Sequence, residues 1–271
     1  MDSLFQHTTV DVGGIPVAML RGGSGRPLLV LHDELGFAGW MGWNRTLARD
    51  FELLMPLQPG FGVTPRCEWF ECYRDVGDFY HRMLREMDLG PVDVIGFSAG
   101  GFIAAEMAVA CPDAFAHLVL VAPLGVRPKI GEIADVLALT VRSHVALTVS
   151  RVDAPEFAEI YGGAMTTEQF ELFEAARAET SRLGWEPFLY SPSLPHRLGG
   201  LNGLPTLITW GTEDLVVPRS CVDIYEAAIP GALRADIDGA GHRPEIEAPE
   251  EFLTSVCSFL SQPALERNAR V

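Results

Sequence analysis

Gly96-Phe97-Ser98-Ala99-Gly100 sets a hydroxyl where a nucleophile would be useful. Residues 92–95 before it read as a buried strand, and residues 99–110 after it read as a helix. A serine on a tight strand-to-helix turn is lifted clear of the sheet. Flanking glycines allow the sharp bend without a Cβ clash. The helix N-terminus supplies free N–H groups and the positive end of a field. The chemistry this suits is attack on a carbonyl carbon. Such a serine needs a base, and the base needs an orienting carboxylate. Seven histidines are available: His7, His32, His81, His117, His144, His196 and His242. His242 is the expected base, because it lies in Gly239-Ala240-Gly241-His242-Arg243-Pro244, just past the last strand. Glycines there suit a loop that passes close to another. Asp214, in Gly211-Thr212-Glu213-Asp214 after a strand at 204–210, is the expected acid. Glu213 is its rival, and Asp33 and Asp238 are further candidates.

The elements that must position these residues follow from hydrophobic pattern. Residues 6–11 and 15–20 flank Gly13-Gly14 as a hairpin. Mostly apolar stretches at 27–31, 51–55, 92–95 and 117–122 read as buried strands. Val76, Phe79, Tyr80, Met83, Leu84 and Met87 recur at helical spacing over 73–88. Gly22-Gly23-Ser24-Gly25 is expected only to turn the chain, because no helix opens after it. Unbroken apolar strands separated by helices argue for a parallel sheet covered on both faces. From about 125 to 200 the pattern is mostly helical. Thr166 with Gln169 is a capping box that opens a helix to about Arg182. The strand rhythm returns at 204–210 and 233–237, and 249–261 reads as a closing helix. The simplest account is one α/β domain (1–124 and 201–271) carrying an insertion at 125–200. In such a sheet, Ser, Asp and His all fall on loops at the C-terminal ends of strands, where ligands bind.

Composition narrows the partners. The 271 residues carry 20 basic and 36 acidic side chains, a net charge of −16, and Lys129 is the one lysine. An acidic chain with no basic run has no visible means of neutralising phosphates, so nucleic acid is not an expected partner. Anionic membrane surfaces are disfavoured for the same reason. There is no apolar run of spanning length and no signal-like N-terminus, so the expected location is the cytoplasm. Cys67, Cys72, Cys111, Cys221 and Cys257 are odd in number and scattered, as free thiols would be. No metal or organic cofactor is implied.

The chain resembles the α/β-hydrolase fold family over nearly its whole length. The matching segments are His32-Asp33-Glu34-Leu35-Gly36, Pro59-Gly60-Phe61-Gly62, Gly96 to Gly101, Gly211 to Pro218, and Gly241-His242 followed by Pro249-Glu250. The resemblance implies an eight-stranded, mostly parallel sheet, with residues 125–200 as a helical lid after strand 6. It implies that Ser98, Asp214 and His242 form a triad. It also implies that the backbone N–H groups of Glu34 and Ala99 form the oxyanion hole. Epoxide hydrolases and haloalkane dehalogenases of this fold use Asp at the nucleophile position, and this chain has Ser98. One segment departs from the family: a Gly usually follows the His of the first loop, and here Asp33 and Glu34 do. Two carboxylates beside a developing anion oppose its stabilisation unless they face away or are paired. Either they point elsewhere, held by an Arg, or one joins the chemistry or binds a substrate hydroxyl or amine.

Trp40, Phe97, Tyr161, Phe173 and Trp185 are the candidate pocket residues, and as a set they suggest an apolar, partly aromatic substrate. The expected function is hydrolysis of an ester, lactone or thioester of an apolar small molecule through an acyl-enzyme. Three alternatives stand beside it: cleavage of a carbon–carbon bond in a β-diketone or vinylogous acid, a non-hydrolytic lyase, cyclase or cofactor-free oxygenase, and a catalytically silent ligand binder. Oligomeric state is left open.

Overall fold

The computed structural model describes residues 5–154, 157 and 166–263. The hairpin forms as β1 (Phe5–Val12) and β2 (Ile15–Gly23), and its turn needs left-handed backbone at Gly13 (φ 61°) and Gly14 (φ 88°). Next come β3 (Arg26–Leu31), a short α1 (Gly42–Leu47), β4 (Phe51–Pro56) and α2 (Tyr73–Glu86). β5 (Val92–Phe97) then leads directly into α3 (Ala99–Ala110), followed by β6 (Phe115–Val121). Between β6 and β7 (Thr206–Gly211) the longer helices among the described residues are α4 (Val141–Thr148) and α5 (Thr167–Gly184), with a turn of helix, α6, at Leu194–Arg197. The Thr166 capping box is in place: its hydroxyl accepts from Gln169 N–H, and Gln169 accepts from Thr166 N–H. The chain closes with α7 (Arg219–Ala228), β8 (Leu233–Ile237), α8 (Pro244–Glu247) and α9 (Pro249–Leu260). The hydrophobic pattern had not singled out α1, α7 or α8.

All eight strands form one sheet in the order β1-β2-β4-β3-β5-β6-β7-β8, antiparallel at β1/β2 and β2/β4 and parallel elsewhere. Two cores cover its faces. Leu29, Leu31, Val92, Val94, Leu118 and Leu120 face one, with α2, α3 and α7. Leu28, Val30, Ile95, Phe97, Val119 and Val121 face the other, with α1 and α9. Successive side chains point to opposite faces and both faces are covered, which is why these strands read as mostly apolar runs; the exception in β5, Asp93, is buried against His117.

The topology also chooses the site. From β3 the chain moves outward to β4, then returns to lay β5 on the other side of β3. The connections after β3 and β5 therefore diverge, opening a crevice at their C-terminal ends. Among the described residues no helix is long and apolar enough to cross a membrane, and all five cysteines are free.

Candidate active site

Ser98 occupies the bend between β5 and α3 with φ 49° and ψ −109°, a region that costs a non-glycine residue about 1–3 kcal/mol. The bend is compressed against its neighbours. A Cβ on Gly100 would lie 2.4 Å from the carbonyl oxygens of both Leu31 and His32. The glycine thus lets α3 start hard against the end of β3. The Ser98 N–H donates to Val121 O (2.9 Å), and its carbonyl accepts from Phe102 and Leu124, so the strained residue is pinned on three sides.

His242 reaches it from the loop after β8. Its Nε2 lies 2.8 Å from Ser98 Oγ, and its Nδ1 lies 2.9 Å from Asp214 Oδ2. A carboxylate only accepts, so Nδ1–H donates to Asp214 and Nε2 is left to accept from the Ser98 hydroxyl. The second Asp214 oxygen accepts from Val216 N (2.7 Å) and Val217 N (2.9 Å), which fixes the carboxylate plane. Burial by itself pushes the His242 pKa down. The Asp214 charge and hydrogen bond, with Glu34 and Asp33 beyond, outweigh it and raise the pKa from 6.5 to about 9. Ser98 and His242 are both buried. The acid and base loops meet at backbone distance, because a Cβ on Gly211 would sit 2.0 Å from Gly241 O.

The structure thus brings Ser98, His242 and Asp214 together and leaves the rival acids elsewhere. Asp33 Oδ1 accepts from Leu35 N, and its Oδ2 lies 3.2 Å from the Arg243 guanidinium. Asp238 accepts from the Thr212 hydroxyl. Of the other histidines, His7 and His196 are exposed, His81 bonds Met107 O, and His117 pairs with Asp93. His32 links the loops after β3 and β4. Its Nε2 accepts from Gln58 N (3.1 Å), so its Nδ1 donates to Asp33 O (2.6 Å). That bond and the Thr180 hydroxyl on Glu34 O (2.9 Å) hold the 33–34 backbone in place. Among the described residues no acceptor meets the backbone N–H of Glu34 or of Ala99, the first residue of α3.

Of the expected pocket residues, Phe97 lines a cavity with Met41, Trp43, Asp33, Arg243 and Glu245. Phe173 is buried edge-on to the His144 ring at 5.9 Å. Two other expected pocket residues do not line that cavity. Trp40 stacks on Phe5 at 4.9 Å in the α1/α9 core, because β1 supplies a ring for it there. Trp185 caps α5 with 61% of its surface exposed, edge-on to Phe188, because the helix end carries it outward. Tyr161 lies outside the described residues. Arg177, Arg182 and Arg197 are engaged by Glu174, Glu179 and Glu106.

The pattern missed Glu247 altogether. This buried carboxylate accepts from Gly241 N (3.0 Å) beside His242 with one oxygen, and from Ser150 N (2.9 Å), Ser150 Oγ (2.9 Å) and Arg151 N (2.8 Å) with the other. It ties the base loop to the segment after α4, and His242 N–H donates to Thr148 O there as well. No local signal marks the tie, because the donors Ser150 and Arg151 lie about a hundred residues away. Among the described residues no cluster of three or more His, Cys, Asp or Glu could hold a metal ion.

Residues 28–254 match the Alpha/beta hydrolase family. The chain is 27% identical over 271 residues to a 2-hydroxymuconate semialdehyde hydrolase of Pseudomonas sp. (strain CF600), covering 93% of each chain. It is 24% identical to a pimeloyl-[acyl-carrier protein] methyl ester esterase of Aeromonas salmonicida (strain A449), covering 90% of this chain and 99% of that one. The crystal structure of the esterase RhEst1 from Rhodococcus sp. ECU1013 superposes with a TM-score of 0.77 at 20% identity, over 96% of this chain and all of that one. That last likeness is one of fold.

Proposed function

The chain belongs to the alpha/beta hydrolase family, and from that premise we propose that it is a serine hydrolase acting on an ester, lactone or thioester of an apolar small molecule. The observation that carries this reading is the continuous hydrogen-bond chain Ser98–His242–Asp214, with spacings of 2.8 and 2.9 Å. In this mechanism Ser98 Oγ attacks the carbonyl carbon as His242 Nε2 takes its proton. Asp214 holds the imidazole tautomer and stabilises the imidazolium. The oxyanion rests on the N–H groups of Glu34 and Ala99, fixed donors that need no reorganisation as charge develops. His242 returns the proton to the leaving group, and water, activated by the same imidazole, releases the acyl group. Residues 125–200 act as the lid.

The first test is a p-nitrophenyl ester assay combined with fluorophosphonate labelling. A burst followed by steady turnover, with label on Ser98 and none in Ser98→Ala, is the expected result. A folded protein whose Ser98 refuses the label overturns the proposal. Carbon–carbon bond cleavage is the second reading, favoured by the sequence likeness to 2-hydroxymuconate semialdehyde hydrolase. Labelling of Ser98 with no activity on any ester shifts the weight to it.

A further inference from the structure

Glu34 presents two functions from one residue. Its backbone N–H is the oxyanion donor of the proposed mechanism, and its side chain is a carboxylate with 2% of its surface exposed, whose charge acts on His242. Asp33, its neighbour, is accounted for by Leu35 and Arg243. Glu34 is not. Among the described residues Glu34 Oε2 has no hydrogen-bond partner, and Oε1 has only His144 Nε2 at 3.9 Å, beyond hydrogen-bond length.

The isolation extends to the groups around it. His144 Nδ1 and the Tyr73 hydroxyl are also buried polar atoms without a partner among the described residues. They come from three separate elements: the loop after β3, α4 and the start of α2. His144 feels the Glu34, Asp33 and His242 charges, although burial dominates and pushes its pKa down, which keeps it neutral near pH 7. Burial, with the Glu34 charge adding to it, pushes the Tyr73 phenol up, so it keeps its proton. Thr180 approaches Tyr73 without meeting hydrogen-bond geometry and donates to Glu34 O instead.

Buried polar atoms are nearly always satisfied, and each one left alone carries a desolvation penalty. Three of them gathered around one carboxylate whose charge reaches His242 are a poor way to stabilise a fold and a good way to read a substrate. We infer that Glu34, His144 and Tyr73 form a polar subsite that binds a hydroxyl group of the substrate's acyl chain, close to the scissile carbonyl. This rests on the hydrolase reading. The chemistry favours a hydroxyl because it donates one proton, to Glu34 Oε2, and accepts others, from the Tyr73 phenol and an imidazole N–H. An ammonium group donates only, and would leave the phenol proton unmet. The substrate class narrows to hydroxy-acyl esters or lactones, apolar beyond the hydroxyl. A site built to bind a hydroxyl also rejects the analogue that lacks it.

The test separates binding from turnover. Ser98→Ala protein is titrated calorimetrically with methyl 2-hydroxyhexanoate, methyl 3-hydroxyhexanoate and methyl hexanoate. One hydroxy ester should bind about 10- to 100-fold tighter than the hexanoate. Glu34→Leu in that background should bring the ratio to within about threefold, and Tyr73→Phe, which removes a single oxygen, should cut it several-fold. Neither hydroxy ester binding more than threefold tighter overturns the inference. So does a preference that survives Glu34→Leu. If Glu34→Leu does not fold, an unchanged preference in Tyr73→Phe overturns it alone. Turnover of the same esters by the unaltered protein reads the hydrolase proposal independently. A binding preference without turnover or Ser98 labelling leaves the subsite standing and removes the hydrolase.

Discussion

Gly211→Ala puts the most geometric strain on the smallest chemical change. Gly211 ends β7, its φ lies outside the left-handed region, and an alanine there meets no intrinsic backbone penalty. Its Cβ would nevertheless lie 2.0 Å from Gly241 O and 2.3 Å from Ala240 O. A carbon–oxygen contact needs about 3.3 Å, so the acid and base loops must part by roughly 1.3 Å. Gly241 precedes His242, and Asp214 lies three residues past Gly211. The 2.9 Å bond between them would then open to about 4 Å, beyond hydrogen-bond range. Overpacking of this kind costs about 1–3 kcal/mol. For activity, a misplacement of about 1 Å costs on the order of 10², and full loss of an orienting Asp about 10⁴ in serine proteases. Expected, therefore, is a 10²- to 10⁴-fold fall in kcat/KM on a p-nitrophenyl ester, with a melting temperature lower by no more than about 10 °C. Gly90→Ala is the control, since nothing lies within 4 Å of its Cβ. Gly211→Ala turnover within threefold of the parent, in a folded protein, would show that the two loops do not set the site's geometry.

Other perturbations bear on single groups. Asp214→Asn should lower kcat by about 10⁴ while Glu213→Gln stays near the parent, and the reverse result moves the acid to Glu213. Because His242 must be neutral to accept a proton and its pKa is raised from 6.5 to about 9, kcat/KM should climb with pH up to about 9 and then level. An acid limb centred at or below pH 6.5 contradicts the charge environment described. The same upward shift stabilises the fold fully below pH 6.5, and that contribution is lost as pH rises through about 9, which melting scans across pH would register. Glu247→Ala strands donors on Gly241, Ser150 and Arg151. It should cost about 3 kcal/mol and speed hydrogen exchange at 150–151 and 241–243 together. Exchange that rises in only one of those segments argues against the tie.

The sequence alone determined what lies along short stretches of chain. The apolar run at 27–31 reads as a buried strand, because burial on both faces leaves no alternation along it. The Thr166–Gln169 box and the glycines around Ser98 marked a helix start and a sharp bend from local chemistry. The candidate nucleophile, base and acid were legible because each sits at a strand end with glycines beside it. Tertiary structure decided what depends on approach between distant segments. Asp214 and Glu213 are adjacent, and only the register of the β7 loop against the β8 loop brings one of them to His242. Asp33 and Glu34 are adjacent too, yet one is met by Arg243 from across the sheet and the other is left facing His144 and Tyr73. Trp40 and Trp185 read alike as pocket aromatics, and packing sent one onto Phe5 and the other to the surface. Glu247 shows the limit most clearly. A carboxylate's partners are chosen by distance in space, and residues 150 and 247 become neighbours only once the sheet has folded between them.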